Sequence, residues 1–304
     1  MKQITIAICH YPHALKSAIY GLQELFLMAN RICDQSGIEV EFLPVIVDGT
    51  TQQPSRFNVV LLPPSAQSDF YLNPETTLID WLKARHRQGA ILASACAGSF
   101  VLAATQILAG RTVTTHWGLS DLFQLKYPDI PLDIKQILID HGDVITAGGM
   151  MSWLDLGFEI VTKYTSVTVM RQLGKQLVVD TALREQRYYQ QFTPSLLHGD
   201  QVIVAIQQMM NLEYGQPLSI QAIAAQFHLT ERTMQRRFLK ATGYNPNHYL
   251  QRLRIQKACD LLESSQLSFE VIARQVGYED TSACRKVFIK TMGLTPKAFR
   301  HRFM

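Results

Sequence analysis

From Lys2 to about Lys163, short apolar runs alternate with longer amphipathic ones. ITIAIC, EVEFLPVIV, NVVLLPP and AILASA have the length and apolar character of buried strands. ALKSAIYGLQELFLMANRIC and LIDWLKARHRQG carry apolar positions at helical spacing. Strands that alternate with helices imply an α/β fold with a mostly parallel sheet covered on both faces. Beyond residue 200 the pattern changes to helices separated by Gly and Pro. Between the halves, REQRYYQQFTPS is polar and aromatic, Pro194 ends any helix before it, and Asp200 is placed to cap QVIVAIQQMMNLEYG. The expected organisation is a first domain over 1–165, a linker over 166–199 and an all-α domain over 200–304.

The all-α half contains an internal repeat. IAAQFHLTERTMQRRFLKATGYNP aligns with IARQVGYEDTSACRKVFIKTMGLTP, with Ile223 over Ile272, Ala224 over Ala273, Phe238 over Phe288, Gly243 over Gly293 and Pro246 over Pro296. The offset grows from 49 to 50, so one residue is inserted at the turn. Each copy has a short helix with a small central residue, a brief turn and a second helix in which Arg and Lys are spaced among apolar anchors. This is the helix-turn-helix pattern, whose second helix enters the DNA major groove. In the first copy Thr230 is placed to cap that helix and Met234 and Phe238 face inward, leaving Arg232, Gln235 and Arg236 outward. In the second copy Cys284 and Phe288 take the inward spacing, leaving Thr281, Ser282, Arg285 and Lys286 outward. Arg and Gln match guanine and adenine edges bidentately, whereas Lys suits a phosphate.

Charge follows the same division. Residues 1–199 hold 15 Lys and Arg against 17 Asp and Glu, and residues 200–304 hold 14 against 8, so the basic excess sits in the helical half. Such asymmetry is the electrostatic footprint of a module that meets polyanions. With 304 residues and a 47% hydrophobic fraction, two cores can be filled. The N-terminus lacks the apolar stretch and cleavage site of a signal peptide, and no run approaches the roughly 20 residues that span a membrane, so a cytoplasmic protein without membrane partners is expected. Five scattered cysteines without a C-x-x-C pair argue against a disulfide framework or a structural zinc, and no cofactor is called for.

The stretch ILASACAGS raises a question of chemistry. An apolar strand meets a small-residue corner at Cys96 and then the helical run FVLAATQILAG, for which Gly110 is a candidate C-cap. A cysteine lifted above the carboxyl end of a sheet strand, at a helix N-terminus, is in a place that favours a thiolate.

The residues from ILASACAGSFVLAATQILAGRTVTTHW to DVITAGGMMSWLDLGFEIV resemble the DJ-1/PfpI superfamily, in the subgroup fused to a DNA-binding domain. This resemblance implies a flavodoxin-like parallel sheet, a nucleophilic cysteine at Cys96, a histidine at His116 and an acid from an early helix. The acid is missing: Ala18 occupies its position, and Glu24 lies nearly two turns further along. A thiol without a proton acceptor or charge partner is a poor nucleophile, so Cys96 and His116 are expected to line an effector pocket, with no catalytic role. Residues 200–304 resemble the AraC/XylS regulators, whose base-contacting positions match the outward residues above, Lys286 replacing the more usual Arg. Together the resemblances imply a transcriptional regulator that binds double-stranded DNA, responds to a small metabolite, nitrogenous or amino-acid-derived by analogy, and forms a homodimer. The rival expectation is a Cys96-dependent hydrolase or hydratase with the second half as a tether.

Overall fold

The computed structural model describes residues 1–48, 56–182 and 184–304, which divide into two compact units, Met1–Gln186 and Arg187–Met304. The first unit runs β1 (Lys2–Cys9), α1 (Lys16–Gln35), β2 (Val40–Val47), β3 (Val59–Leu62), α2 (Ser68–Leu72), α3 (Thr76–Arg87), β4 (Ile91–Ala95), α4 (Gly98–Ala104), α5 (Ser120–Lys126), β5 (Leu138–Asp140), β6 (Val144–Ala147), α6 (Trp153–Tyr164) and α7 (Val167–Leu177). The sheet order is β2-β1-β3-β4-β6-β5. All neighbours pair in parallel except β5, an antiparallel edge strand beside β6.

The four residues of β3 and the four of β6 are all buried, as expected of strands covered on both faces. α1 turns Ala18, Ile19, Leu22, Leu25, Phe26 and Ala29 inward, the 3.6-residue stripe that its sequence spells. The order of the strands reverses between β1 and β3, and the crevice at such a reversal, beyond the carboxyl ends of the strands, is where doubly wound sheets place ligands. There the Tyr11 hydroxyl, just past β1, donates to the carbonyl of Pro63, just past β3.

One sequence expectation is revised. The helix after Cys96 ends at Ala104 and does not run on to Gly110. The Thr105 hydroxyl turns back to the Leu102 carbonyl at 2.6 Å and accepts from the Ile107 N–H at 3.3 Å, and Gln106 adopts a positive φ of 65°, which ends the helix early. The segment 166–199 carries a helix of its own. α7 packs on α1 and α6, Gln186 is buried in the first unit, and Phe192 joins a core of the second.

The second unit is helical: α8 (Gln201–Glu213), α9 (Ile220–Gln226), α10 (Glu231–Thr242), α11 (Pro246–Ser264), α12 (Phe269–Gln275), α13 (Thr281–Met292) and α14 (Pro296–Phe303). It holds two small cores. α11 serves both, with Tyr249 and Leu253 in the first and Ile255, Ala258, Cys259 and Leu262 in the second.

Candidate functional site

At the end of β4, Cys96 takes φ 53°, a left-handed conformation that non-glycine residues adopt at a cost and that recurs at functional turns. The corner is pinned around it. Its N–H donates to the Ala147 carbonyl at 2.8 Å, and its own carbonyl accepts from the hydroxyls of Ser99 and, at 2.8 Å, Thr115. Gly98 is required by a close approach, since a Cβ there would stand 2.6 Å from the Leu62 carbonyl oxygen and 2.9 Å from that of Pro63. The sequence thus dictates a strained, tightly held turn.

The electrostatics oppose a thiolate. Cys96 is 2% exposed, and burial pushes its thiol up to about 11, against a smaller lowering by the Ala97 backbone N–H. The helix N-terminus that was expected to favour the anion loses to desolvation by burial, because its seven residues offer little. Tyr11 and Tyr71 lie within electrostatic range of the sulfur and are themselves shifted upward, mainly by burial. Ala18 is fully buried on α1 and Glu24 is exposed, so neither offers Cys96 an acid.

His116 is half-buried, and burial lowers its pKa, which favours the neutral ring. Its Nδ1 accepts from the Gly118 N–H at 3.0 Å and its ring packs beside Trp117 at 5.1 Å. It therefore caps the turn at Trp117–Leu119. The run RTVTT before it forms only an isolated bridge, Val113 with Leu132. Through Thr115 this run touches the Cys96 carbonyl, so His116 follows directly on a residue of the elbow wall.

A residue passed over in the sequence proves central here. Gln186, 2% exposed, donates from Nε2 to the carbonyls of Thr115 at 2.9 Å and Ile134 at 3.1 Å, and its Oε1 accepts from the Trp117 N–H at 2.8 Å. Gly148, where a Cβ would stand 2.8 Å from the Thr115 carbonyl, leaves room for it. A lone Gln in a polar stretch carries no periodic signal, and these partners lie 52 to 71 residues away in sequence.

In the second unit the inward residues Met234, Phe238, Cys284 and Phe288 are fully buried. Arg232, Gln235, Arg236, Ser282, Arg285 and Lys286 are exposed and Thr281 is half-buried. Thr230 caps α10 through the Thr233 N–H at 3.2 Å, and Asp280 caps α13 through Ser282 at 2.8 Å. Two outward residues are held by acids: Gln235 donates to Glu231 at 2.9 Å, and Arg285 to Glu270 at 3.3 Å, with its guanidinium 5.3 Å from the Phe269 ring. Both pairs are at the surface and easily exchanged. Arg237 behaves differently. Its Nε and Nη2 donate to both oxygens of Asp200 at 2.9 and 2.6 Å, tying α10 to the N-terminus of α8 and holding the Asp200 carboxyl below its ordinary range. Among the described residues no group of His, Cys, Asp or Glu is placed to hold a metal ion, and no helix is long and apolar enough to cross a membrane.

A doubly wound α/β unit with a strained cysteine elbow, followed by a helical unit with two helix-turn-helix motifs, defines the class of molecule. Residues 35–163 match the DJ-1/PfpI family and residues 223–302 match the helix-turn-helix domain, so the chain joins a DJ-1/PfpI domain to an AraC-type helix-turn-helix domain. It is similar to the HTH-type transcriptional regulator CdhR of Pseudomonas aeruginosa, with 26% identity over 225 residues, covering 73% of this chain and 66% of that one. It is similar also to the HTH-type transcriptional regulator GbdR of the same species, with 22% identity, covering 72% and 60%. The match thus spans somewhat less than two thirds of the length of these relatives. The HTH-type transcriptional activator RhaR of Pectobacterium atrosepticum is 30% identical over 134 residues, 44% of this chain and 47% of that one. Among solved structures, Drosophila melanogaster DJ-1beta matches with 16% identity and TM-score 0.47 over 59% of this chain and 100% of that chain. The DNA-binding domain of AdpA, in complex with a target DNA, matches with 27% identity and TM-score 0.33 over 33% of this chain and 91% of that chain.

Proposed function

We propose that this chain is a sequence-specific DNA-binding transcriptional regulator, acting as a cytoplasmic homodimer, whose first unit takes a small-molecule effector. The observation that carries this reading is the duplicated helix-turn-helix, with two capped second helices presenting Arg, Lys, Gln and Ser outward over fully buried anchors. In this reading Arg232, Gln235 and Arg236 of α10 and Thr281, Ser282, Arg285 and Lys286 of α13 meet double-stranded DNA. In the same reading Cys96, at the carboxyl end of β4 beside the strand where the sheet order reverses, and His116 line the effector pocket. A neutral, buried thiol with Ala18 in place of an acid supports a wall rather than a nucleophile. The names of the relatives support the regulatory role.

The test is a mobility-shift titration of the full chain on duplex DNA at rising salt. Each phosphate neutralised releases counterions, so affinity should fall steeply, with a slope of about −0.9 per phosphate contact on a double-logarithmic plot. Affinity that stayed flat from low to moderate salt would refute the proposed interface.

A further inference from the structure

Both outward-facing helices end in the same way. α10 stops at Gly243 and α13 at Gly293, each with φ 75°, and each turn leads into a helix that opens on proline, α11 at Pro246 and α14 at Pro296. What covers the two turns differs. A Cβ on Gly243 would meet nothing within 4 Å, whereas one on Gly293 would run into Arg187 and stand 2.8 Å from Cε1 of Tyr188.

The segment that covers Gly293 grips its surroundings firmly. The guanidinium of Arg302 on α14 lies 5.4 Å from the centre of the Tyr188 ring. The same guanidinium donates to the Tyr189 hydroxyl at 3.3 Å, and the Tyr189 ring meets Phe303 edge-on at 5.5 Å. Three residues later the same segment enters the other copy. Phe192 packs edge-on against Tyr244 at 5.6 Å and Tyr249 at 5.1 Å, and the Arg252 guanidinium lies 5.3 Å from its ring. Its N–H donates to Gln256 at 2.8 Å. Tyr244 follows Gly243 directly, so one short segment holds the turn after α10 and the turn after α13.

We infer that Arg187–Phe192 is a brace that fixes the spacing between the two helix-turn-helix motifs, with Tyr188 and Phe192 as its positioning residues, and so sets the separation of DNA half-sites that the chain accepts. This rests on the DNA-binding reading above. The motifs also share α11, a 19-residue helix about 28 Å long, and they meet where the Arg254 guanidinium donates to the Tyr214 and Gln216 carbonyls just past α8, close to Gly277. From Tyr188 to Phe192 the chain can span at most about 14 Å, so the segment is a further short tie that stiffens the pair of motifs against turning. The consequence is steep. One base pair inserted between half-sites moves one of them by about 3.4 Å and turns it by about 35° around the duplex. A braced pair must lose contacts in one groove, whereas an unbraced pair can follow.

The experiment uses the full-length protein. Selection from randomised duplexes with the wild type yields a bound sequence, footprinting marks its two contacted halves, and affinity is compared between this site and one with a base pair inserted between the halves. The wild type should bind the expanded site about tenfold more weakly or worse. Tyr188→Ala combined with Phe192→Ala should bring the two affinities within about threefold, and Tyr188→Phe, which keeps a ring beside Arg302, should keep the wild-type ratio. Tyr188→Leu and Phe192→Leu, which preserve apolar bulk, guard against a double variant that does not fold and should each lose part of the ratio. Folded variants that all discriminate as well as the wild type would overturn the brace and leave DNA binding intact. A wild type that enriches no sequence would overturn the DNA-binding reading itself and the brace with it.

Discussion

Iodoacetamide should find Cys96 slow at neutral pH. Burial raises the thiol from 9.0 to about 11, so at pH 7.5 the thiolate fraction falls from about 3% to about 0.03%, a factor of about a hundred. A more basic thiolate is intrinsically more nucleophilic, with a Brønsted coefficient of about 0.4–0.5, which returns roughly eightfold. The chemistry alone therefore leaves Cys96 about tenfold slower than an ordinary exposed thiol, and its 2% exposure adds the cost of opening the elbow. The assay is alkylation of the native protein followed by peptide mass spectrometry, with an unfolded sample and a free thiol as references, across pH 7 to 10. The rate should climb with pH throughout, without a plateau near neutrality. A Cys96 that reacts as fast as the free thiol at pH 7.5, or whose rate levels off below pH 8, would mean an activated thiolate, and the hydrolase reading would then have to be taken up again.

Three further outcomes are expected. Arg236→Ala should flatten the preference for a selected site over random DNA, worth about 1–3 kcal/mol for a lost bidentate contact, while Lys286→Ala should weaken both together and reduce the salt slope by about one; paired dissociation constants at two salt concentrations decide between them. Gly98→Ala drives a methyl into two backbone carbonyls and should cost the first unit about 1–3 kcal/mol, a fall in melting temperature of about 2–12 °C; an unchanged melting curve would contradict the close approach. Cys9, pushed up to about 12, and Cys96 hold their protons in the folded state above the pH at which an unfolded thiol releases them. Stability should therefore be full below about pH 9 and decline above it, Cys96 alone accounting for about 2 kcal/mol by pH 11; denaturant midpoints that hold steady from pH 8 to 10.5 would contradict it.

The parts of the molecule that were legible in the sequence are those written as a period. Alternating apolar runs foretold the parallel sheet, and the spacing of Met234 with Phe238 and of Cys284 with Phe288 foretold which residues of α10 and α13 turn away from solvent. The Cys96 turn was legible because strand, small residues and helix follow one another locally. What escaped was set by partners distant in sequence. The thiol's basicity depends on burial among residues from separate segments, Tyr11 and Tyr71 among them, and no local pattern reports that. The pairing of Arg237 with Asp200 spans 37 residues, and the anchoring of Gln186 spans about 70. Thr105, by contrast, was local yet overlooked: a hydroxyl that turns back on its own helix competes with the helix pattern rather than marking it.

Gln186 also bears on how such chains can be cut and rejoined. Its amide belongs to the wall behind the Cys96 turn, and the next residue already belongs to the brace. A hybrid made by grafting another sensing half onto this helical half has a narrow choice of junction. Joining after residue 165 discards α7 and Gln186, leaving the donor's wall to be completed by foreign chain. Joining before Asp200 leaves Tyr188 and Phe192 behind, and with them the grip on both turns. The seam falls between Gln186 and Arg187, where one peptide bond separates the last residue of one module from the first of the other, so a hybrid that keeps both modules whole must be joined there.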